Sequence, residues 1–267
     1  MRTFALNHMT TPQSPTRDLI TLAVELGCGG VELRTDLVPP LFDGADPETV
    51  RQQLEKAGLT LHAIAEVSAF DDGSDRAQAE LVELAGLAER AGAVGVSLIP
   101  RNDGLPAAAP LEHTLAAVAP VLERFGVIGF IEPLGFPTAS LRFKATVVAA
   151  IESLGLGGRV QLIHDTFHHC LAGEGEVYAE HTGIVHVSGV VDRSRSTEHW
   201  TDADRVLVDA DDRVGNLDQL RQLDAGGFQG PVSVEAFAPS VHALDAPQGA
   251  LANTFHCIRS GLAASAA

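Results

Sequence analysis

The sequence predicts an α/β fold, a single-domain (β/α)8 TIM barrel that spans residues 1–267. Eight short runs of apolar and β-branched residues alternate with amphipathic helical segments, and most of these segments end at a glycine shortly before the next strand. The length also fits, since such barrels typically have about 250 residues. An open doubly wound sheet is the alternative, but the first strand–helix turn, His-Met-Thr-Thr-Pro, lacks the glycines typical of that fold.

Each predicted strand is a continuous apolar run, as expected of strands buried on both faces. In chain order the strands are Phe4–His8, Gly30–Arg34, Thr60–Glu66, Val94–Ile99, Val127–Glu132, Val160–Asp165, Ile184–Ser188 and Val232–Phe237. The predicted helices are Asp18–Leu26, Pro47–Ala57, Asp75–Ala91, Leu111–Phe125, Phe143–Leu154, one turn at Glu176–His181, Leu217–Ala225 and Pro247–Leu262. The second helix has the clearest signals, because Asp46 is a good N-cap, Pro47 suits the first helical position and Gly58 ends the helix.

The connection between the seventh strand and its helix, residues 189–216, is too long to be a simple turn. Loops longer than about 12–15 residues in compact domains are usually functional or disordered. This loop contains Trp200, the only tryptophan, and Arg205. Because it follows the carboxyl end of a strand, where barrel active sites lie, we expect it to contribute to a site.

The charge of the chain argues against several classes of partner. With 18 Lys+Arg and 35 Asp+Glu the net charge is −17, which disfavours binding to nucleic acid or to an anionic membrane. The apolar runs are too short to span a bilayer, and the N-terminus does not resemble a signal peptide. Three cysteines without CxxC spacing favour a reducing, cytoplasmic location. The sequence leaves open whether the chain forms a homo-oligomer.

Four consecutive predicted strands place metal-binding residue types near their carboxyl ends: Glu132, Asp165, His186 and Glu235. The carboxyl ends of barrel strands meet at one mouth. Three carboxylates and an imidazole suit one divalent metal ion, Mn, Mg, Co or Zn, and without a cation the carboxylates would repel one another. Single residues also have structural interpretations, since Asp165 could cap the following turn and His186 could be a core histidine.

The residues and motifs that other enzyme mechanisms require are missing from the sequence. The only lysines, Lys56 and Lys144, lie in predicted helices, which argues against a Schiff-base enzyme with a strand lysine. The motifs GxSxG, HExxH and GxxxxGK[ST] are missing. The loop after the eighth strand lacks the glycines of a barrel phosphate site, which favours a neutral polyol or ketose as substrate. His164 and His169 flank the site, and their position relative to Asp165 predicts that one faces the helix layer.

The ordered set of four residues resembles the xylose-isomerase-like TIM-barrel superfamily of sugar isomerases and epimerases, over essentially the whole chain. Asp165-Thr-Phe-His168 is similar to the Asp-x-x-His of that superfamily, whose histidine contacts substrate. A closer resemblance is to the inosose (2-keto-myo-inositol) isomerase branch. It is carried by these segments: His-Asp-Thr-Phe-His-His, Thr-Asp-Ala-Asp-Arg205-Val, Val-Ser-Val-Glu235-Ala-Phe, Leu-Asn-His8-Met-Thr and Val-Glu32-Leu-Arg34.

The resemblance implies a metal-dependent isomerase of inositol or carbohydrate metabolism. It would interconvert polyhydroxy ketones, inosose or a related sugar, by proton transfer through a metal-bound cis-enediolate, and manganese is one suitable metal. Glu132 and Glu235 would be the catalytic acid and base in addition to metal ligands, in an order that the sequence leaves open. The implied substrate-binding residues are His168, Arg205, His62, Arg34 and Trp200, although Trp200 could equally anchor its loop.

One departure from the family pattern affects the assignment. Epimerases of the superfamily carry an arginine six residues after the strand-seven histidine, where this chain has Asp192 followed by Arg193. This weakens an epimerase assignment and favours Arg205 as the substrate-binding arginine. A ketose 3-epimerase or an inosose dehydratase on the same metal site remains the alternative. An endonuclease IV-like hydrolase and a non-catalytic polyol-binding barrel fit less well.

Overall fold

The computed structural model describes residues 3–264 and shows a closed barrel of eight parallel strands, β1 to β8, in chain order. This confirms the predicted fold, and residues 1, 2 and 265–267 of the predicted domain lie outside the described part. The strands are β1 Phe4–Asn7, β2 Gly30–Arg34, β3 Thr60–Ser68, β4 Gly95–Ile99, β5 Ile128–Ile131, β6 Val160–Asp165, β7 Thr182–Val187 and β8 Val232–Val234. Pairing of β1 with β8 closes the barrel.

Helices surround the barrel: α1 Thr16–Glu25, α2 Pro47–Ala57, α3 Asp75–Ala91, α4 Leu111–Phe125, α5 Lys144–Leu154, α6 Thr166–Ala172, α7 Asn216–Ala225, α8 Pro239–His242 and α9 Gln248–Ala263. The bounds of α2, α3 and α4 are those predicted, because each ends at a glycine in the left-handed conformation, with φ of 70° at Gly58, 70° at Gly92 and 67° at Gly126. Within residues 3–264, none of the helices is both long and apolar enough to cross a membrane.

The region after β6 differs from the sequence prediction. The helix of this unit is α6, which begins directly at the strand end, whereas only a 3-10 turn, Ala179–His181, falls within the predicted Glu176–His181 segment. The reason is a side-chain cap, since Asp165 Oδ1 accepts a hydrogen bond of 2.8 Å from the backbone N–H of His168. The strand end and the first turn of α6 therefore form one rigid corner. The short helix α8 was not predicted.

The barrel interior is layered, and the layering places the candidate site. Successive strand residues point alternately to the interior and to the helices. A buried apolar layer inside the barrel consists of Ala63, Phe130, Ile163 and Ile184. Two positions further along β5, β6 and β7 are Glu132, Asp165 and His186, so these side chains form the next layer toward the mouth.

The long loop after β7 is ordered and folds over the mouth. It contains 3-10 turns at Thr197–His199 and Asp202–Asp204, and Gly189 and Val206 form an antiparallel bridge at its base. Trp200 is buried in a small apolar cluster and stacks on Phe167, with 6.1 Å between the ring centroids. The loop is therefore held against α6, and its Arg205 is brought to the barrel interior.

Candidate metal centre and substrate cavity

The structure brings the four predicted metal ligands together at the mouth. Glu132, Asp165, His186 and Glu235 each offer one ligand atom, these atoms all lie within 4.8 Å of one another, and all four residues are buried. Asp165 and His186 are direct partners in the β6–β7 ladder. Glu132 and Glu235 each follow the last residue of their strands, β5 and β8. The carboxyl ends of four neighbouring strands thus supply one compact donor set.

The donor set fits a divalent cation. His186 Nδ1 is buried without a hydrogen-bond partner, and it lies 3.2 Å from Glu235 Oε2 and 3.6 Å from Glu132 Oε1. Three carboxylate groups and one imidazole nitrogen that converge in this way are ligands suited to Mn, Mg, Co or Zn. The geometry therefore supports these four residues as the ligands.

The close approach of the candidate ligands shifts their pKa values. Burial, together with the charge of Glu235, raises the pKa of Glu132 to about 7. Burial alone would lower the pKa of His186, but Glu235 and Glu32 outweigh it and raise that pKa well above its ordinary value. Burial would likewise raise the pKa of Glu235, yet His186 and Arg205 hold it below the usual range. The metal-free centre thus binds protons at His186 and Glu132 near neutral pH.

Metal affinity should therefore rise with pH. A cation must displace the proton of His186 at any pH near neutrality, and below pH 7 it must also displace the proton of Glu132. One displaced proton corresponds to about a tenfold change in affinity per pH unit, and two to about a hundredfold. Titration calorimetry with Zn²⁺ in non-chelating buffers should show the steeper slope below pH 7. An affinity that does not change across this range would contradict the assigned protonation.

Two buried arginines neutralise part of the negative charge. Arg205 Nη2 lies 2.5 Å from Asp165 Oδ2 and 2.8 Å from Glu235 Oε2. Its guanidinium carbon lies over the rings of Phe167 and Phe237, at 5.2 Å and 4.3 Å from their centroids. This arrangement holds Arg205 rigidly between two candidate ligands.

Arg34 approaches the same centre from the other side. Its Nη1 donates to Glu235 Oε1 at 3.1 Å and its Nη2 donates to Glu66 Oε2 at 2.8 Å. Arg193, by contrast, is exposed and pairs with Asp211 on the surface. Of the arginines considered, Arg34 and Arg205 are therefore the two at the metal centre.

A cavity of about 220 Å³ lies above the metal centre. Predicted substrate residues Arg34, His168 and Arg205 line it, together with Glu132 and Glu235. The remaining lining residues are Asp36, Glu66, Ile99, Asn102, Leu134, Phe136, Asp202 and Phe237. A larger open groove of about 530 Å³, beside Phe4 and Phe228, lies near the amino ends of β1 and β8, opposite the mouth. We take the smaller cavity as the substrate site, because it adjoins the candidate ligands.

Two predicted substrate residues are not brought to this cavity. His62 is the extra residue at an irregularity in β3, where Leu61 and Ala63 pair with Val31 and Glu32. A Cβ added at Gly30 would lie 2.4 Å from His62 Nε2, so the ring packs near the amino end of β2. Trp200 is 3% exposed and packs on Phe167, which matches the alternative interpretation that it anchors the loop.

Glu32 was missed as a site residue by the sequence analysis. Its two oxygens lie 3.1 Å and 3.0 Å from His186 Nε2, on the side of the ring opposite the ligand atoms. The signal in the sequence was a strand, Gly-Val-Glu-Leu-Arg, with charged residues at positions 32 and 34. Residues two apart in a strand share a face, so Glu32 and Arg34 both point into the barrel.

Lys144 and the two unassigned histidines form a separate buried cluster. Lys144 Nζ lies 2.9 Å from His164 Nδ1 and 2.6 Å from His169 Nδ1, and burial lowers the pKa of Lys144 to about 7. His164 follows the inward-facing Ile163 and therefore faces the helix layer, where it contacts Gln219 of α7. Lys144 lies in α5, as predicted, and not on a barrel strand.

These features define a (β/α)8 barrel with a candidate divalent-metal centre at the carboxyl ends of its strands. The chain belongs to the xylose isomerase-like TIM barrel family, which matches residues 20–259. This confirms the superfamily resemblance found in the sequence. No curated protein matches the chain.

Several solved structures share this fold. A xylose isomerase domain-containing protein from Salmonella typhimurium LT2 is 27% identical, with 97% of each chain covered and a TM-score of 0.89. An IolI protein with a bound zinc atom is 18% identical, with 98% of each chain covered and a TM-score of 0.84. An L-ribulose 3-epimerase is 22% identical, with 99% of this chain and 95% of that chain covered and a TM-score of 0.68.

Proposed function

We propose that the chain is a divalent-metal-dependent isomerase that interconverts polyhydroxy ketones, inosose or a related sugar, by moving a proton between adjacent carbons. The observation that carries this proposal is the convergence of Glu132, Asp165, His186 and Glu235 within 4.8 Å, beside a cavity that Glu132 and Glu235 line. Similar structures named as an IolI protein with zinc and as a sugar epimerase support the same class of reaction.

The two glutamates that line the cavity differ in what they can do. A bound divalent cation would act as a Lewis acid that polarises a substrate carbonyl and stabilises negative charge on oxygen. Glu235 has both oxygens engaged by guanidinium groups, Oε1 by Arg34 and Oε2 by Arg205. Glu132 has no arginine contact among the described hydrogen bonds and lines the cavity, so we assign it as the first group to exchange a proton with substrate.

The walls of the cavity suit a neutral substrate with many hydroxyl groups. Asp36, Glu66 and Asp202 present carboxylates that can accept hydrogen bonds from hydroxyls and would repel an anion. The His168 ring is fixed by edge contacts with Phe136 and Phe167, at 5.1 Å and 5.3 Å between centroids, and its Nδ1 has no partner. We assign His168 and Arg205 as groups that bind substrate oxygens.

Ketose 3-epimerisation is the second candidate, favoured by the similarity to L-ribulose 3-epimerase. It would use the same residues, with the proton returned to the opposite face of the same carbon. The deciding experiment incubates metal-loaded protein with a panel of inososes and ketohexoses in D₂O and identifies products by NMR. Isomerisation places deuterium on the original carbonyl carbon, whereas epimerisation places it on the carbon next to the carbonyl. Failure to convert any compound of the panel would overturn the proposal.

Removal of the metal should abolish activity. Protein treated with a chelator and then freed of it is expected to lose turnover, and Mn²⁺ or Co²⁺ should restore it, because the carbonyl is no longer polarised in the stripped protein. The chelator-treated sample should keep its circular dichroism spectrum as a control for folding. Full turnover in the stripped protein, with its metal content verified by mass spectrometry, would contradict a metal-dependent reaction.

A further inference from the structure

Glu32 is a fully buried carboxylate, with 0% exposure, that the ligand set does not include. Both of its oxygens lie within hydrogen-bond distance of His186 Nε2, at 3.1 Å and 3.0 Å. The contact spans the barrel interior, because β8 and β1 lie between β7 and β2 in the closed sheet. Glu32 is thus the partner of a candidate ligand rather than a ligand itself.

This contact determines the form of the imidazole. A carboxylate only accepts hydrogen bonds, so Nε2 of His186 must carry a hydrogen. Nδ1, which faces Glu132 and Glu235 and has no partner, then keeps the lone pair that binds a cation when the ring is neutral. The negative charge of Glu32 also makes the imidazole a stronger ligand than a neutral acceptor would.

Glu32 also contributes to the net charge of the buried groups around the centre. The buried charged side chains around the centre are four carboxylates, on Glu32, Glu132, Asp165 and Glu235, and two guanidinium groups, on Arg34 and Arg205. With neutral His186 this leaves two negative charges, which one divalent cation neutralises. The other carboxylates of the cavity, Asp36, Glu66 and Asp202, are only partly buried or exposed, and each also pairs with Arg34 or Arg205.

We propose that Glu32 is a positioning residue that fixes the ring orientation and the Nε2–H form of His186, and thereby sets the affinity of the centre for a divalent cation. This inference rests on the metal centre of the proposed function but does not depend on which substrate is converted.

The test compares Glu32→Gln with Glu32→Met in the full chain. Gln keeps an oxygen that accepts from Nε2–H but lacks the charge, whereas Met has a similar length and no comparable acceptor. Titration calorimetry of metal-free protein with Zn²⁺ is expected to show about tenfold weaker binding for Gln and about a hundredfold for Met. Nitrogen-15 NMR of labelled histidines, with the His186 signal assigned by His186→Gln, should show the Nε2–H form in the zinc-loaded wild type and in Gln, and a mixture of forms in Met.

Asp71→Asn is the matched control. Asp71 is also a buried carboxylate, and it accepts hydrogen bonds from the backbone N–H of Arg101 and the Ser140 hydroxyl, neither of which belongs to a candidate metal ligand. The Asp71→Asn variant should have a lower melting temperature and an unchanged zinc affinity. It therefore separates a loss of stability from a loss of His186 positioning. Wild-type affinity in both Glu32 variants would overturn the inference. A wild-type chain that does not bind zinc would overturn the metal centre too, whereas zinc binding without turnover of any ketose would overturn only the proposed reaction.

Discussion

Replacing Glu132 with Gln is expected to lower turnover by about 10²–10⁴-fold, the usual contribution of a positioned acid–base group. The amide cannot accept a proton at neutral pH, while its oxygen can still face the cation. Glu132 lines the cavity and has no arginine contact among the described hydrogen bonds, so its carboxylate is placed to accept the carbon-bound proton of a substrate. Turnover should be measured at saturating Mn²⁺, so that weaker metal binding is not mistaken for slower proton transfer.

Comparison with Glu235→Gln makes this test specific. Glu235 is bound by Arg34 and Arg205, so removal of its charge should weaken metal binding and disturb both arginines in addition to slowing the reaction. In Glu132→Gln, exchange of the substrate carbon-bound proton with D₂O should fall in parallel with turnover. Wild-type turnover and exchange in Glu132→Gln, with metal bound, would exclude Glu132 as the base.

The convergence of the four candidate metal ligands could be predicted from the sequence, because each of them is marked by a local pattern. Glu132, Asp165, His186 and Glu235 each stand near the end of an apolar run, and the carboxyl ends of barrel strands are constrained to meet. Only the direction of the strands and their order are needed to place such residues together.

The other parts of the site depend on contacts that a local pattern does not contain. Glu32 contacts His186, which is 154 residues away in the sequence, and this contact follows from closure of the barrel. His62 was expected near a strand end, but an irregularity in β3 turns it toward Gly30. The position of Trp200 depends on how the long loop packs against α6.

Replacing Arg205 with Met is expected to destabilise the metal-free protein by about 3–5 kcal/mol, the usual effect of removing one partner of a buried ion pair. Asp165 and Glu235 would lose their shared guanidinium, and both are buried. Thermal unfolding monitored by circular dichroism should show a fall of roughly 6 °C or more. Arg193→Met is the control, because Arg193 is an exposed partner of Asp211 and surface pairs contribute little.

Added cation should reduce the deficit of Arg205→Met, because it supplies positive charge to the same two carboxylates. We therefore expect Zn²⁺ to raise the melting temperature of Arg205→Met by more than that of the wild type. The rise for Arg205→Lys should lie between those of Arg205→Met and the wild type. Lysine keeps a positive charge but lacks the planar group that packs on Phe167 and Phe237. Equal shifts with Zn²⁺ in all three proteins would mean that Arg205 and the cation do not share Asp165 and Glu235. A metal-free melting temperature of Arg205→Met equal to that of Arg193→Met would show that the buried pair contributes no more than the surface pair.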